Sequence, residues 1–221
     1  MLFRSLYAAE FDRKRVVAYS PDGAKLTVLA AGLQPNDLAV SSKGDVYFTD
    51  GGAQLVYQIP AGGKARVVFD GKRDGNIVMP RGVRLTPDEA LLVVADAYGR
   101  TAWSFHMESD GSLTDGEPFY HLELPDDVSK GPVDTSAGGM TFDALGSLYV
   151  ATNLGMQICD QPGRVNGIVR RLGPGNVTSV VFGGADLKTL YATVGTKVYK
   201  RTLRRTGVFP WQPVKLPKPQ L

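Results

Sequence analysis

Apolar and polar positions repeat one pattern along this chain. Between Leu33 and Asp50 the sequence runs LQPNDLAVSSKGDVYFTD: a polar dipeptide, an alternating apolar stretch, a Ser-Lys-Gly turn, then Val46-Tyr47-Phe48-Thr49. The pattern returns in Arg81–Asp96 (RGVRLTPDEALLVVAD), Gly138–Thr152 (GGMTFDALGSLYVAT) and Thr178–Thr193 (TSVVFGGADLKTLYAT). Leu38 and Val40 flank Ala39, and Met140 and Phe142 flank Thr141. Period-two alternation predicts a strand with one face more buried than the other. The second run of each copy, such as Leu91-Leu92-Val93-Val94-Ala95, is more uniformly apolar, which suits a strand covered on both faces. Gly, Pro, Asp and Ser between the runs supply the turn. Four copies roughly 40–57 residues apart predict a propeller or similar array, in which sheets stack face to face around an axis.

The remaining sequence fills out the units. Residues 2–32 read as a unit without its first strand. Unit two runs from Asn36 to near Asp70, with LVYQIPAGGKARVVF as its outer hairpin turning at Ala61-Gly62-Gly63. Unit three extends from Arg81 to near Leu122, unit four from Gly138 to near Leu172, and unit five starts at Thr178 and includes KVYKRTLRR. No helix is expected, since Pro and Gly punctuate every window of about a dozen residues. The prediction is a single all-β propeller domain over residues 1–208, four to five blades visible, with a Pro-rich extended tail over 209–221. A ring hides its strand edges only when complete. Opening in mid-unit is therefore expected to mean that residues before Met1 are missing, or that a partner or the tail closes the ring.

Composition narrows the function classes. The chain has 221 residues, 43% hydrophobic and 21% charged, with a net charge of +3: a globular profile. Lys200, Arg201, Arg204 and Arg205 cluster but read as a solvated strand and turn, so nucleic acid is not an expected partner. One cysteine, Cys159, excludes an intrachain disulfide; its apolar neighbours Met156 and Ile158 predict a packing role. Two histidines are too few for a histidine metal site. No stretch approaches the ~20 apolar residues of a membrane helix, and MLFRSLYAAEF lacks a signal-peptide core; cytoplasm is the default compartment. G-x-S-x-G, HExxH, CxxC and Walker motifs do not occur.

PNDLAVSSKGDVYFTD, PRGVRLTPDEALLVVAD, AGGMTFDALGSLYVATNLGMQICDQPGRV and VVFGGADLKTLYATVGTKVYKRTL together cover nearly the whole chain. They resemble the senescence-marker-protein/gluconolactonase/luciferin-regenerating-enzyme family, with Phe182-Gly183-Gly184 and Thr189-Leu190-Tyr191 especially similar. The resemblance implies a six-bladed propeller, one axial divalent cation (calcium or zinc), and hydrolysis of sugar lactones. It also implies a Glu from the first blade, an Asn heading a middle blade and an Asp heading a later blade as ligands, with a second Asn beside metal and substrate. The Asp would double as the base. A hard cation wants several oxygen ligands; it would polarise the lactone carbonyl and acidify a water.

Onto this chain the pattern carries only partly. Asn36 matches the second Asn. Arg81 stands where the ligating Asn is expected, Gly138 stands where the Asp is expected, and the Glu would fall before Met1. Arg81 is a permanent cation whose charge opposes a divalent ion in a narrow funnel. The expectation is that its guanidinium occupies the cation's place and pairs with a remaining acid. Asn36 and Arg81 are the candidate ligand-binding residues, the latter by its bidentate fork; Asn36 could instead cap a turn, and Arg81 could instead be a solvent-exposed substitution with no role. Asp134, in PVDTSAGG, is the candidate catalytic acid/base, or a turn residue. Asp50 and Asp96, at the ends of second strands, read as structural hydrogen-bond acceptors, Asp88 and Asp143 as turn residues, and Trp103, Phe105 and Phe119 as hairpin core. Two functions follow: a metal-dependent lactone hydrolase, or a non-catalytic propeller (or inactive homologue) binding a small anionic or sugar-acid ligand.

Overall fold

A computed structural model describes residues 5–75, 77–125, 133–171 and 173–209. These residues form eighteen strands and no helix. The strands make five antiparallel sheets, each a meander in chain order. Sheet one holds β1 (Leu6–Glu10), β2 (Arg15–Tyr19) and β3 (Leu26–Ala31). Sheet two holds β4 (Leu38–Val40), β5 (Val46–Asp50), β6 (Leu55–Ile59) and β7 (Arg66–Asp70). Sheet three holds β8 (Pro80–Leu85), β9 (Leu91–Asp96), β10 (Thr101–Met107) and β11 (Leu113–His121). Sheet four holds β12 (Met140–Phe142), β13 (Leu148–Thr152), β14 (Gly155–Cys159) and β15 (Val165–Arg170). Sheet five holds β16 (Val177–Gly183), β17 (Thr189–Val194) and β18 (Lys197–Thr202).

The repeated pattern is the inner half of each blade. Its alternating strand pairs with its uniformly apolar strand: Leu38 opposite Phe48, Val83 opposite Val94, Met140 opposite Val150, Phe182 opposite Leu190. The second strands β5, β9 and β13 are buried almost throughout, because a neighbouring sheet covers each face. Four apolar clusters lie between successive blades. Val16 and Tyr7 meet Val46 and Phe48; Tyr47 and Phe69 meet Val83, Leu92 and Phe105. Val93 and Tyr120 meet Met140, Phe142 and Leu148; Tyr149 and Met156 meet Val180, Phe182 and Leu190. Burial of this apolar area holds each blade to the next. Strands β4, β8, β12 and β16 contact one another in turn around the axis.

The fold is thus an all-β propeller, and the blade count is corrected. The family resemblance implied six blades; the described residues hold five. A blade here takes about 40 residues, and the strand groups in this chain supply five sheets. The outer hairpins fall where the sequence placed them, with Trp103 and Phe105 in one cluster and Phe119 against another. Cys159 is fully buried. Lys200, Arg201, Arg204 and Arg205 are exposed on β18 and the turn after it. Of the predicted tail, all but Phe209 lies outside the described residues. No helix among the described residues is long and apolar enough to cross a membrane.

Candidate functional site

The inner strands run in the same sense, so the residues entering them share one end of the axis. Thr49, on buried β5, organises that end. Its carbonyl accepts the Asn36 N–H at 2.8 Å, and its N–H donates to the Asp37 carbonyl at 3.1 Å. Its Oγ1 donates to the Arg81 carbonyl at 2.6 Å and accepts the Asp37 N–H at 3.3 Å. One buried threonine therefore fixes the backbones of Asn36 and Arg81 on neighbouring blades, and both side chains remain exposed. Asp37 adds a second stitch: Oδ1 accepts the Leu38 N–H at 2.9 Å and Oδ2 the Val83 N–H at 3.1 Å.

The next heads are built from backbone. Gly82 lies against Gly138; a Cβ on Gly82 would sit 1.9 Å from the Gly138 carbonyl oxygen. A Cβ on Gly138 would sit 2.7 Å from the Thr178 carbonyl oxygen, and the Gly139 N–H donates to that same oxygen at 3.0 Å. Blades three, four and five close on one another here at distances that exclude side chains. Asp134 lies half-buried in the segment leading into β12. Its Oδ1 accepts the Ser136 N–H at 2.7 Å and the Ser136 hydroxyl at 2.9 Å, an Asx turn that holds Ser136 in the left-handed region at φ 48°. The Asn153 amide donates to the Asp134 carbonyl at 2.6 Å, and its buried Oδ1 has no hydrogen-bond partner.

The other acids are structural, as the sequence indicated. Asp50 accepts from Gln34 and Ala53 N–H, and Asp96 from Val78, Met79 and Tyr98 N–H. Asp88 accepts from Ala90 N–H, and buried Asp143 from Leu145 and Ser147 N–H. Each joins a strand end or turn.

Arg81 departs from expectation. It is exposed, and no ion pair to it exists among the described residues. The arginine whose charge interacts with an acid is Arg84, partly buried and three residues further along β8, with Asp37 as the acid. Burial pushes the Arg84 pKa down while the Asp37 charge pulls it up. Burial pushes the Asp37 pKa up, opposed by the Val83 and Leu38 N–H groups and by Arg84. Sequence reading passed over Arg84. The available signal was a second arginine in the strand, set between the apolar Val83 and Leu85.

The residues at the heads do not fit a divalent cation. Asn36 supplies one amide oxygen, Arg81 a guanidinium, and Gly138 no side chain. No group of three His, Cys, Asp or Glu with metal-binding proximity exists among the described residues.

Comparison with known proteins places this architecture. Residues 26–196 match the model of the SMP-30/Gluconolactonase/LRE-like region. A gluconolactonase of Zymomonas mobilis subsp. mobilis is 28% identical, over 78% of this chain and 51% of that protein. The chain thus spans about half the length of that relative. Among solved structures, a gluconolactonase from Xanthomonas campestris superposes with a TM-score of 0.71 at 25% identity, covering 90% of this chain and 68% of the other. Regucalcin from Agrobacterium tumefaciens, a calcium-binding protein, superposes with a TM-score of 0.70 at 18% identity, covering 99% and 77%. With the family model matching well over half of its length, the chain belongs to the SMP-30/gluconolactonase/LRE-like family.

Proposed function

We propose that this chain is a lactonase-type propeller that takes a sugar lactone, or the ring-opened acid, at the heads of blades two and three. The observation that carries the reading is the Thr49 tether, which holds the Asn36 and Arg81 backbones side by side while leaving an amide and a guanidinium exposed. The Arg81 N–H donors would bind the lactone carbonyl oxygen and stabilise the negative charge that develops there as water adds. Asn36 would hydrogen-bond the sugar hydroxyls. Asp134 would take the proton from the attacking water. Collapse of the tetrahedral adduct then breaks the ring C–O bond and returns the proton to the departing alkoxide, giving a hydroxy acid. No step is assigned to a divalent cation, because the head residues do not fit one.

A second reading is supported by the Asx turn: Asp134 Oδ1 is already engaged by Ser136, which suits a residue that shapes a loop. The chain would then bind the sugar acid without hydrolysing a lactone. Acid release from glucono-δ-lactone, corrected for spontaneous opening, separates the two. Acceleration that falls by ~10²-fold in Arg81→Ala, the scale of losing one oxyanion donor, and also falls in Asp134→Asn, supports hydrolysis. No acceleration, with saturable gluconate binding that Arg81→Ala abolishes, supports the binder. Absence of both overturns both readings. Repeating the assay after chelation, then with calcium or zinc restored, tests whether a cation contributes.

A further inference from the structure

A cavity of about 300 Å³ lies among β1, β4, β8 and β12, at the end of the inner strands away from Asn36 and Arg81. Its walls are largely apolar, including Tyr7, Leu38, Val40, Leu85 and Phe142. The charged exception that faces it without a bonded partner is Arg84. Among the described residues no hydrogen bond or ion pair reaches the Arg84 guanidinium. Its nearest opposing charge, Asp37, lies beyond ion-pair distance and has both carboxylate oxygens occupied by the Leu38 and Val83 N–H groups. Glu89 also borders the cavity, but Ser42 holds both of its oxygens, through N–H at 2.7 Å and Oγ at 2.6 Å. Thr86 is turned to Asp88 and Leu91.

A partly buried guanidinium without a hydrogen-bonded anion carries a cost, because part of its hydration is lost without gaining a partner. Arginine does not escape that cost by releasing its proton at neutral pH. The fork of donors matches a carboxylate bidentately, and the surrounding side chains match a hydrocarbon body. We propose that this cavity is a second ligand site, which takes a small monocarboxylate with its carboxylate on Arg84 and its apolar body against Leu38, Val40, Leu85 and Phe142. The proposal does not depend on lactone chemistry at the strand heads.

The test compares benzoate with its neutral isostere benzamide by calorimetry on the whole chain near neutral pH. Saturable one-to-one benzoate binding is expected, at least tenfold tighter than benzamide, and reduced at least tenfold in Arg84→Gln. In the wild-type protein the ¹⁵Nε–¹Hε signal that disappears in Arg84→Lys should be the one that benzoate moves; this reading stands even if Arg84→Gln fails to fold. Equal binding of benzoate and benzamide, or no saturable benzoate binding, overturns the proposal. So does benzoate binding that survives in folded Arg84→Gln or moves other arginine signals only, as it would at the strand heads through Arg81.

Discussion

Gly82 and Gly138 touch through backbone: a methyl group on Gly82 would lie 1.9 Å from the Gly138 carbonyl oxygen. Gly138 in turn has no room for a Cβ beside the Thr178 carbonyl. The position where relatives are expected to carry an acidic ligand is therefore not a ligand position with its side chain deleted. The backbones of blades three to five have closed over it. Gly82→Ala and Gly138→Asp should each destabilise the fold by about 1–3 kcal/mol, the scale of overpacking in a tight site. Gly167→Ala, with nothing within 4 Å of the added Cβ, should fall within about 0.5 kcal/mol of the parent. Urea midpoints at constant m-value check all three, and a neutral Gly138→Asp would show that the heads can open.

Thr49 is the tether between blades two and three. Thr49→Val keeps the branched shape but leaves the Asp37 N–H without that acceptor and the Arg81 carbonyl without that donor. A loss of about 1–3 kcal/mol is expected for buried groups stripped of partners. Ligand affinity at the heads should drop as well, since Asn36 and Arg81 are placed through the same residue. Denaturant unfolding with gluconate calorimetry reads both effects, and unchanged affinity in the destabilised variant would separate the tether from the site.

Cys159 has its thiol pKa pushed up to about 12, burial being the larger cause and the neighbouring Asp160 charge the lesser. At pH 8 a thiol of that kind is thiolate to about one part in 10⁴, and the thiolate is the reactive form. Ellman's reagent should leave the native protein unlabelled over hours and titrate one thiol per chain in guanidinium chloride. Rapid labelling of the folded chain would mean that blades three and four separate readily.

Asp37 gives stability a pH dependence of opposite sign to the common carboxylate case. Its folded pKa is raised by burial above the ordinary value of 3.8, so the folded state holds the proton more tightly than the unfolded state. Its contribution is most favourable below the ordinary value and is lost as pH rises through the raised one. Asp37→Asn should be less stable at every pH, because an amide cannot accept from both Leu38 and Val83. The difference from wild type should narrow as pH rises from about 4 towards 7. Thermal midpoints across that range check it; a difference that widens would mean that the Arg84 charge outweighs burial at this carboxylate.

The sequence by itself determined the strand pairs, the turns between them, and the propeller arrangement. Those depend on local information: alternation such as Leu38-Ala39-Val40, the uniformly apolar run Leu91–Ala95, and turn residues such as Asp88 and Asp143 whose carboxylates bond backbone within a few positions. It also marked Asn36, Arg81 and Gly138 as the residues heading three successive inner strands. Tertiary structure decided what those heads can do. That Thr49 ties Asn36 to Arg81, and that Gly138 sits under the Thr178 carbonyl, are relationships between residues 13 to 40 positions apart in the sequence. A period-two pattern says which face a side chain takes, not which neighbouring backbone it meets. Arg84 illustrates the point most plainly. Along the chain it is one of two cations in RGVRL; in the propeller the ring of inner strands partly buries it, brings it within reach of the Asp37 charge and leaves it lining a cavity. The number of blades, too, follows from how many sheets stack about the axis, which no single repeat encodes.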